Sequence, residues 1–348
     1  MRSAVEQEEK PHTAGLPTAL LSGDTVTILT PMWPLTTCRP QRREQGSFLL
    51  GTSGERAARQ LPVGIAIELE VLAGCDGSLI VAIEGGMTEL AIDQGQLREQ
   101  VLGVPVHALG LAQAINCVFD WALRRESRTV FLCNVHSVVT ARRNRAHAEA
   151  MDSADLVAPD GAPVAWMLRR QGHADQPRIS GPDLMWICCR RASELGTPMF
   201  LYGGSPGTLQ RLGGCIRTEF AGINIVGSYS PPRRPLSAEE DEAVVRMINQ
   251  SGARIVWVGL GCPKQESWMQ AHRGRINAVM LGVGAAFDFH AGDVKRAPQW
   301  MQKSGLEWLH RLFQDPRRLA SRYLVTNSLF ILALLQASLR PRRSLRDG

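Results

Sequence analysis

The sequence is poor in the signatures that announce the commonest site chemistries. Its eight cysteines, at 38, 75, 117, 133, 188, 189, 215 and 262, contain no C-x-x-C pair, and no Cys/His cluster has zinc spacing. Scattered through 348 residues, they read as free thiols in a reducing compartment, mostly small buried side chains, and exclude a disulfide framework. The opening Met-Arg-Ser-Ala-Val-Glu-Gln-Glu-Glu-Lys mixes both charges and lacks an apolar run with a small-residue cleavage site. A secretory signal is therefore not expected, and the expected compartment is the cytoplasm. No Gly-Lys-Ser/Thr follows a glycine loop, so a Walker loop is excluded. No G-x-G-x-x-G follows an early strand with an acid about 20 residues on, which argues against a nicotinamide-dependent oxidoreductase. No D-x-D ends a strand to hold a divalent metal against a diphosphate. The nearest pattern, Asp152-Ser153-Ala154-Asp155, has the wrong spacing. The eight histidines form no H-x-x-x-H pair and read as structural or solvent-facing.

What is present is unevenly distributed. The net charge is +6, yet residues 296–348 hold ten Lys/Arg against three acids, leaving residues 1–295 at −1. A near-neutral body with a basic tail points to an anionic partner for the tail alone. The tail contains no recognisable nucleic-acid module, so nucleic acid is not the expected partner. An oligomer is compatible with the sequence but not specified by it.

Residues 1–60 lack sustained periodicity and read as a poorly ordered leader. Two β-rich runs, Val63–Val71 and Ser78–Ile83, mark residues 61–100 as a separate, unassigned segment. Regular alternation follows over 101–295. Strands are expected at Thr129–Val135, Asp155–Ala158, Met199–Tyr202, Ile223–Val226, Arg254–Gly259 and Ala278–Val283. Helices are expected at Ser137–Met151, from Ala162, at Pro182–Leu195, from the Gly203–Gly207 loop to Phe220, and at Ser237–Asn249 and Pro263–His272. Short apolar runs between helix-length segments predict an α/β fold with a doubly wound, mostly parallel, Rossmann-like sheet covered on both faces. Ligands of such a sheet sit at the carboxyl ends of its strands.

Five strand ends carry candidate chemistry. Pro159-Asp160-Gly161 is favoured turn chemistry whatever its function, but Asn134 ends the preceding strand. An Asn and an Asp converging on one crevice could orient and deprotonate a hydroxyl. Gly203-Gly204-Ser205-Pro206-Gly207 is a strand–loop–helix junction whose backbone amides suit a phosphate. In Gly259-Leu260-Gly261-Cys262-Pro263-Lys264-Gln265-Glu266 the glycines permit close ligand approach, and Pro263 suits a first helical turn. The turn brings Lys264, Gln265 and Glu266 to a helix N-terminus, where anions are favoured; the plainer reading is a well-capped helix. Gly282–Asp288 repeats the pattern and brings Asp288 to the same edge. With no metal motif, a departing diphosphate must be met by amides and by Arg or Lys.

Residues 296–348 form a basic, aromatic appendage. Trp300, Leu306, Trp308, Leu309 and Leu312 interleave with Lys303 and Arg311, and the apolar Tyr323–Leu339 is interrupted by Thr326, Asn327, Ser328, Gln336 and Ser338. Because a spanning helix needs about 20 predominantly apolar residues, an interfacial or buried helix is expected. Each basic residue near an anionic leaflet contributes roughly 1 kcal/mol. The expected partner is thus an anionic membrane surface, with a solvated basic tail as the bland alternative.

Taken in order, these blocks resemble the WecG/TagA/CpsF family of glycosyltransferases over about residues 101–325. The resemblance rests on Ala154–Gly161, Arg178–Leu184, Leu201–Gly204, Gly259–Glu266, Gly282–Asp288 and Arg296-Ala297-Pro298-x-Trp300. It continues through Gly305–Leu312 and Asp315–Arg318. It implies inverting, metal-independent and cofactor-free transfer of a hexose or N-acetylhexosamine from a UDP-sugar to a polyprenyl-diphosphate-linked saccharide. Such transfers serve exopolysaccharide or other surface-glycan synthesis, at the inner face of the cell membrane. It also implies Asp160 as base, with Asn134 and Gln265 beside it. Gly203, Gly204, Gly259, Gly261, Lys264, Glu266, Asp288, Arg311, Arg317 and Arg318 are the candidate substrate-binding residues, the arginines folding over the site to neutralise leaving UDP. One departure stands: some members have Thr two residues before the asparagine, where this chain has Leu132. The competing non-catalytic reading is a membrane-associated assembly protein that keeps the fold without transfer.

Overall fold

The computed structural model describes residues 18–22, 25–29, 69–73, 79–83, 86–90 and 98–339. The chain divides into two units, Met1–Gly95 and Gln96–Gly348. In the first, β1 (Thr18–Ser22), β2 (Thr25–Leu29), β3 (Leu69–Ala73), β4 (Leu79–Ile83) and β5 (Gly86–Leu90) form an antiparallel sheet in the order β2-β1-β3-β4-β5. The leader reading of residues 1–60 falls mostly outside the described residues; its described part consists of β1 and β2.

The second unit opens with the hairpin β6 (Arg98–Val101) and β7 (Val104–His107) and the helix α1 (Leu111–Leu123). Next come β8 (Arg128–Cys133), α2 (Val135–Arg143), α3 (Arg145–Ser153), β9 (Leu156–Pro159), α4 (Ala162–Arg170) and α5 (Gly181–Leu195). They are followed by β10 (Met199–Gly203), α6 (Pro206–Glu219), β11 (Ile225–Tyr229), α7 (Ala238–Gln250), β12 (Ile255–Gly259), α8 (Lys264–His272), β13 (Val279–Gly282) and α9 (Ala286–His290). The appendage is α10 (Gln299–Lys303), α11 (Glu307–Gln314) and α12 (Pro316–Leu339).

Six of these strands form one parallel sheet in the order β11-β10-β12-β13-β8-β9. Its central strands are continuous apolar runs because helices cover both faces. α2, α3, α8 and α12 pack as one layer, and α1, α5, α6 and α9 as the other. Trp257, Phe131 and Phe200 are almost fully buried, and each such side chain contributes about 1.5–3 kcal/mol of transfer free energy. The open edge at β9 is blunted by β7, whose His107 Nδ1 accepts from Val157 N at 2.9 Å. Burial pushes the His107 pKa down to about 4, so the ring stays neutral and able to accept.

The alternation expected from sequence is present, with one difference. The expected single helix Ser137–Met151 is two, broken at Asn144. That residue is extended (φ −129°, ψ 107°), and its side chain caps α3 by accepting from His147 N at 3.2 Å. An Asn that satisfies an orphan helix N–H competes well with helix continuation.

Candidate functional site

The parallel register brings the first pair of site residues together. Cys133 at the end of β8 lies opposite Pro159 at the end of β9, so the next residues, Asn134 and Asp160, leave the sheet side by side. Asp160 N donates to Cys133 O at 2.9 Å and holds the turn against the neighbouring strand. Asn134 then does two jobs. Its Oδ1 caps α2 by accepting from Ser137 N at 3.2 Å, which turns its amide nitrogen toward Asp160 Oδ2, also at 3.2 Å. The cap thereby fixes which end of the amide faces the carboxylate.

The Asp160 carboxyl titrates above the ordinary aspartate range. Burial is the main cause; the Asn134 hydrogen bond and the positive charges of Arg178 and Arg311 pull the other way, while Glu307 adds to the upward push. Asp160 lines a cavity of about 690 Å³ at the carboxyl edge of the sheet, which also takes in the turns after β12 and β13 and one face of the appendage. That volume is within the range of small-molecule sites.

The glycine turns are layered. Gly203 and Gly259 are register partners across β10 and β12. Gly203 has φ +117°, and a Cβ there would lie 2.7 Å from the carbonyl carbon and oxygen of Gly259. The Gly203–Gly204 turn is thus the backing of the Gly259 turn, and only the Gly259 turn lines the cavity. Gly204 N donates to Gly259 O at 3.2 Å across that junction. A Cβ on Gly259 would in turn meet the Phe287 ring at 2.5 Å.

Gln265 lines the cavity but is 5% exposed, its amide turned into the loop. Its Oε1 accepts from Gly261 N at 3.2 Å and its Nε2 donates to Glu266 Oε1 at 2.8 Å. Lys264 is exposed and lies outside the cavity wall, because its side chain leaves the opposite face of the first turn of α8. Asp288 lines the cavity.

The appendage supplies a whole wall. Arg178, just before α5, donates to Glu307 Oε2 at 3.2 Å; Arg296 approaches Glu307 Oε1 at 3.5 Å and is bidentate to Asp183 at 2.6 and 2.8 Å. These partly buried pairs tie the start of α11 to the sheet edge. Arg311 lines the cavity with its guanidinium 5.1 Å over the Phe289 ring, and it makes no ion pair among the described residues. Arg317 is exposed and outside the wall, and the side chain of Arg318 lies outside the described residues.

Sequence reasoning passed over several lining residues: Arg178, Ser180, His136, Glu307, Arg322 and Tyr323. Arg178 and Ser180 belong to a block recognised as a family feature without a role. Arg322 and Tyr323 are on α12, where only tertiary packing shows that one side faces the cavity. The other side is exposed: Leu324, Leu332, Leu335 and Leu339 are 50–83% accessible. Residues 319–339 are long and apolar enough to cross a membrane by length and composition.

Comparison with known families finds a match over this region. The model of the glycosyl transferase WecG/TagA/CpsF family matches residues 99–344.

Proposed function

The chain belongs to the WecG/TagA/CpsF glycosyltransferase family, whose members act in surface polysaccharide synthesis, and from that premise we propose that it transfers a hexose or N-acetylhexosamine from a UDP-sugar to a polyprenyl-diphosphate-linked saccharide. The observation that carries the reading is the Asp160 carboxylate on the cavity wall, held by Asn134 and facing the field of Arg178 and Arg311.

In this reaction Asp160 takes the proton of the acceptor hydroxyl as its oxygen attacks the anomeric carbon from the face opposite the diphosphate. The bond from that carbon to the diphosphate oxygen breaks, the configuration inverts and UDP departs. The departing negative charge meets the Arg311 guanidinium, beside the glycine turns after β12 and β13. Gln265 acts by holding Gly261, and hence the turn, in place. A raised Asp160 pKa serves a base, because a higher proton affinity makes a stronger proton acceptor. The exposed apolar side of α12 and the basic residues beside it hold the enzyme peripherally on an anionic membrane surface at the cytoplasmic face.

The test is a donor screen by UDP release with membrane-extracted polyprenyl-linked acceptors, run with and without a chelator. Turnover is expected to persist in the chelator and to fall by about 10²–10⁴ in Asp160→Asn. Full turnover by Asp160→Asn would remove the base assignment. Strict dependence on a divalent ion would remove the arginine-based neutralisation. Titration with UDP and with NAD separates this reading from an oxidoreductase.

A further inference from the structure

On the flank of the cavity, one residue remote in sequence meets two that are four apart. His147 on α3, Cys262 in the turn after β12 and Glu266 on α8 each bring one ligating atom within 4.8 Å of the others. His147 Nε2 and Cys262 Sγ are 3.8 Å apart. His147 is fully buried and Glu266 is 1% exposed. The two oxygens of Glu266 are not equivalent. Oε1 accepts from Gln265, whereas Oε2 is buried without a hydrogen-bond partner, with only the weakly donating Cys262 thiol beside the carboxyl group. A buried carboxylate oxygen without a strong donor is costly, and a cation is one way to satisfy it.

From this geometry we infer that His147, Cys262 and Glu266 form a binding site for one soft divalent cation, with zinc the best fit. An imidazole, a thiolate and a carboxylate make a borderline-soft donor set of the kind zinc accepts. Zinc–ligand bonds of about 2.0–2.3 Å arranged tetrahedrally place ligand atoms about 3.3–3.6 Å apart. The His147–Cys262 pair is already close to that spacing, and the widest separation needs a contraction of about 1–1.5 Å. Cys262 and Glu266 also line the cavity, so the ion has an entry path and its fourth position opens there. Bound in this place, it would clamp α3, the glycine turn and α8 together beside Gln265. Detection of this site needs no substrate and no turnover, so its failure and that of the proposed transfer are distinguishable.

The experiment is titration of Co²⁺, a spectroscopic substitute for zinc, into chelator-treated full-length protein. The exposed Cys215, together with Cys38 and Cys75, is first replaced by Ser, so that a thiolate signal reports the site. The expected result is saturable binding of one Co²⁺ per chain with a sulfur-to-cobalt charge-transfer band and tetrahedral d–d absorption, both removed by Zn²⁺. Cys262→Ser should abolish the charge-transfer band. It should also weaken binding by more than the roughly 10–100-fold that loss of an outer-shell partner costs. Circular dichroism shows whether each variant folds; if Cys262→Ser does not, His147→Ala serves, with loss of affinity as the readout. Absence of saturable binding, or a charge-transfer band that survives in folded Cys262→Ser, would overturn the inference.

Discussion

Replacing Asn134 with Asp separates the two jobs of this side chain. The substitution keeps an oxygen for Ser137 N, so the α2 cap survives; Asp caps as well as Asn does and suits a helix N-terminus. What changes is the group facing Asp160. A donor 3.2 Å from Oδ2 is exchanged for a second carboxylate. Two unit charges at that distance, with an effective dielectric constant of about 20, repel by about 5 kcal/mol. At about 1.4 kcal/mol per decade this bounds the change at between three and four decades of proton affinity. The pair shares one proton over the intervening pH range. Asp160 is already pushed up by burial, and its base form is lost as pH falls through that pKa. The acid limb of the kcat–pH profile is therefore expected to move to higher pH in Asn134→Asp, by at least about one unit. Turnover should recover in alkaline buffer, while Tm should fall below that of the parent as pH rises, because a raised folded pKa lowers folding stability above the unfolded value. The assay is UDP release across a pH series, with thermal melting as the fold control. A profile superimposable on the parent's, in a folded variant, would refute the coupling between Asn134 and the base.

Other perturbations test neighbouring claims. Asp160→Asn should melt no lower than the parent at neutral pH, because it removes a buried carboxyl whose folded pKa is raised. That advantage should vanish below about pH 3.9, where the group is protonated both folded and unfolded, and grow as pH rises through the folded pKa. Arg311→Ala should lower kcat by about 10²–10³, as loss of one charge-stabilising donor does, and weaken UDP in calorimetric titration with little change in Tm. Gly203→Ala should cost at least about 1–3 kcal/mol in urea unfolding, since its Cβ would sit 2.7 Å from the Gly259 backbone at a positive φ. Leu335→Glu with Leu339→Glu, on the exposed side of α12, should reduce co-sedimentation with anionic vesicles while leaving UDP binding unchanged. Undiminished sedimentation would place the membrane contact elsewhere.

The sequence by itself determined the second unit's alternation of strand and helix. A strand buried on both faces must be apolar throughout, and runs such as Val130–Cys133 and Ile255–Val258 can be little else at that length. It also determined that Asn134, Asp160 and the Gly259 turn lie at strand ends, and hence at one edge of the sheet, with Asp288 near that edge. It did not determine which way side chains leave that edge. Lys264 and Gln265 are adjacent, yet one points outward and the other into the loop, because the helix period turns successive residues by about 100°. Gly203 and Gly259 have equivalent local chemistry, but the register across β10 and β12 puts one behind the other. The appendage was legible as basic and aromatic; that α11 and α12 wall the cavity depends on ion pairs between Arg178, Glu307, Arg296 and Asp183. The approach of His147 to Cys262, across 115 residues, was beyond any spacing rule. Local composition selects the elements, because burial and hydrogen bonding act residue by residue. The tertiary structure alone decides which groups share a cavity, because that depends on strand order and on how distant helices pack.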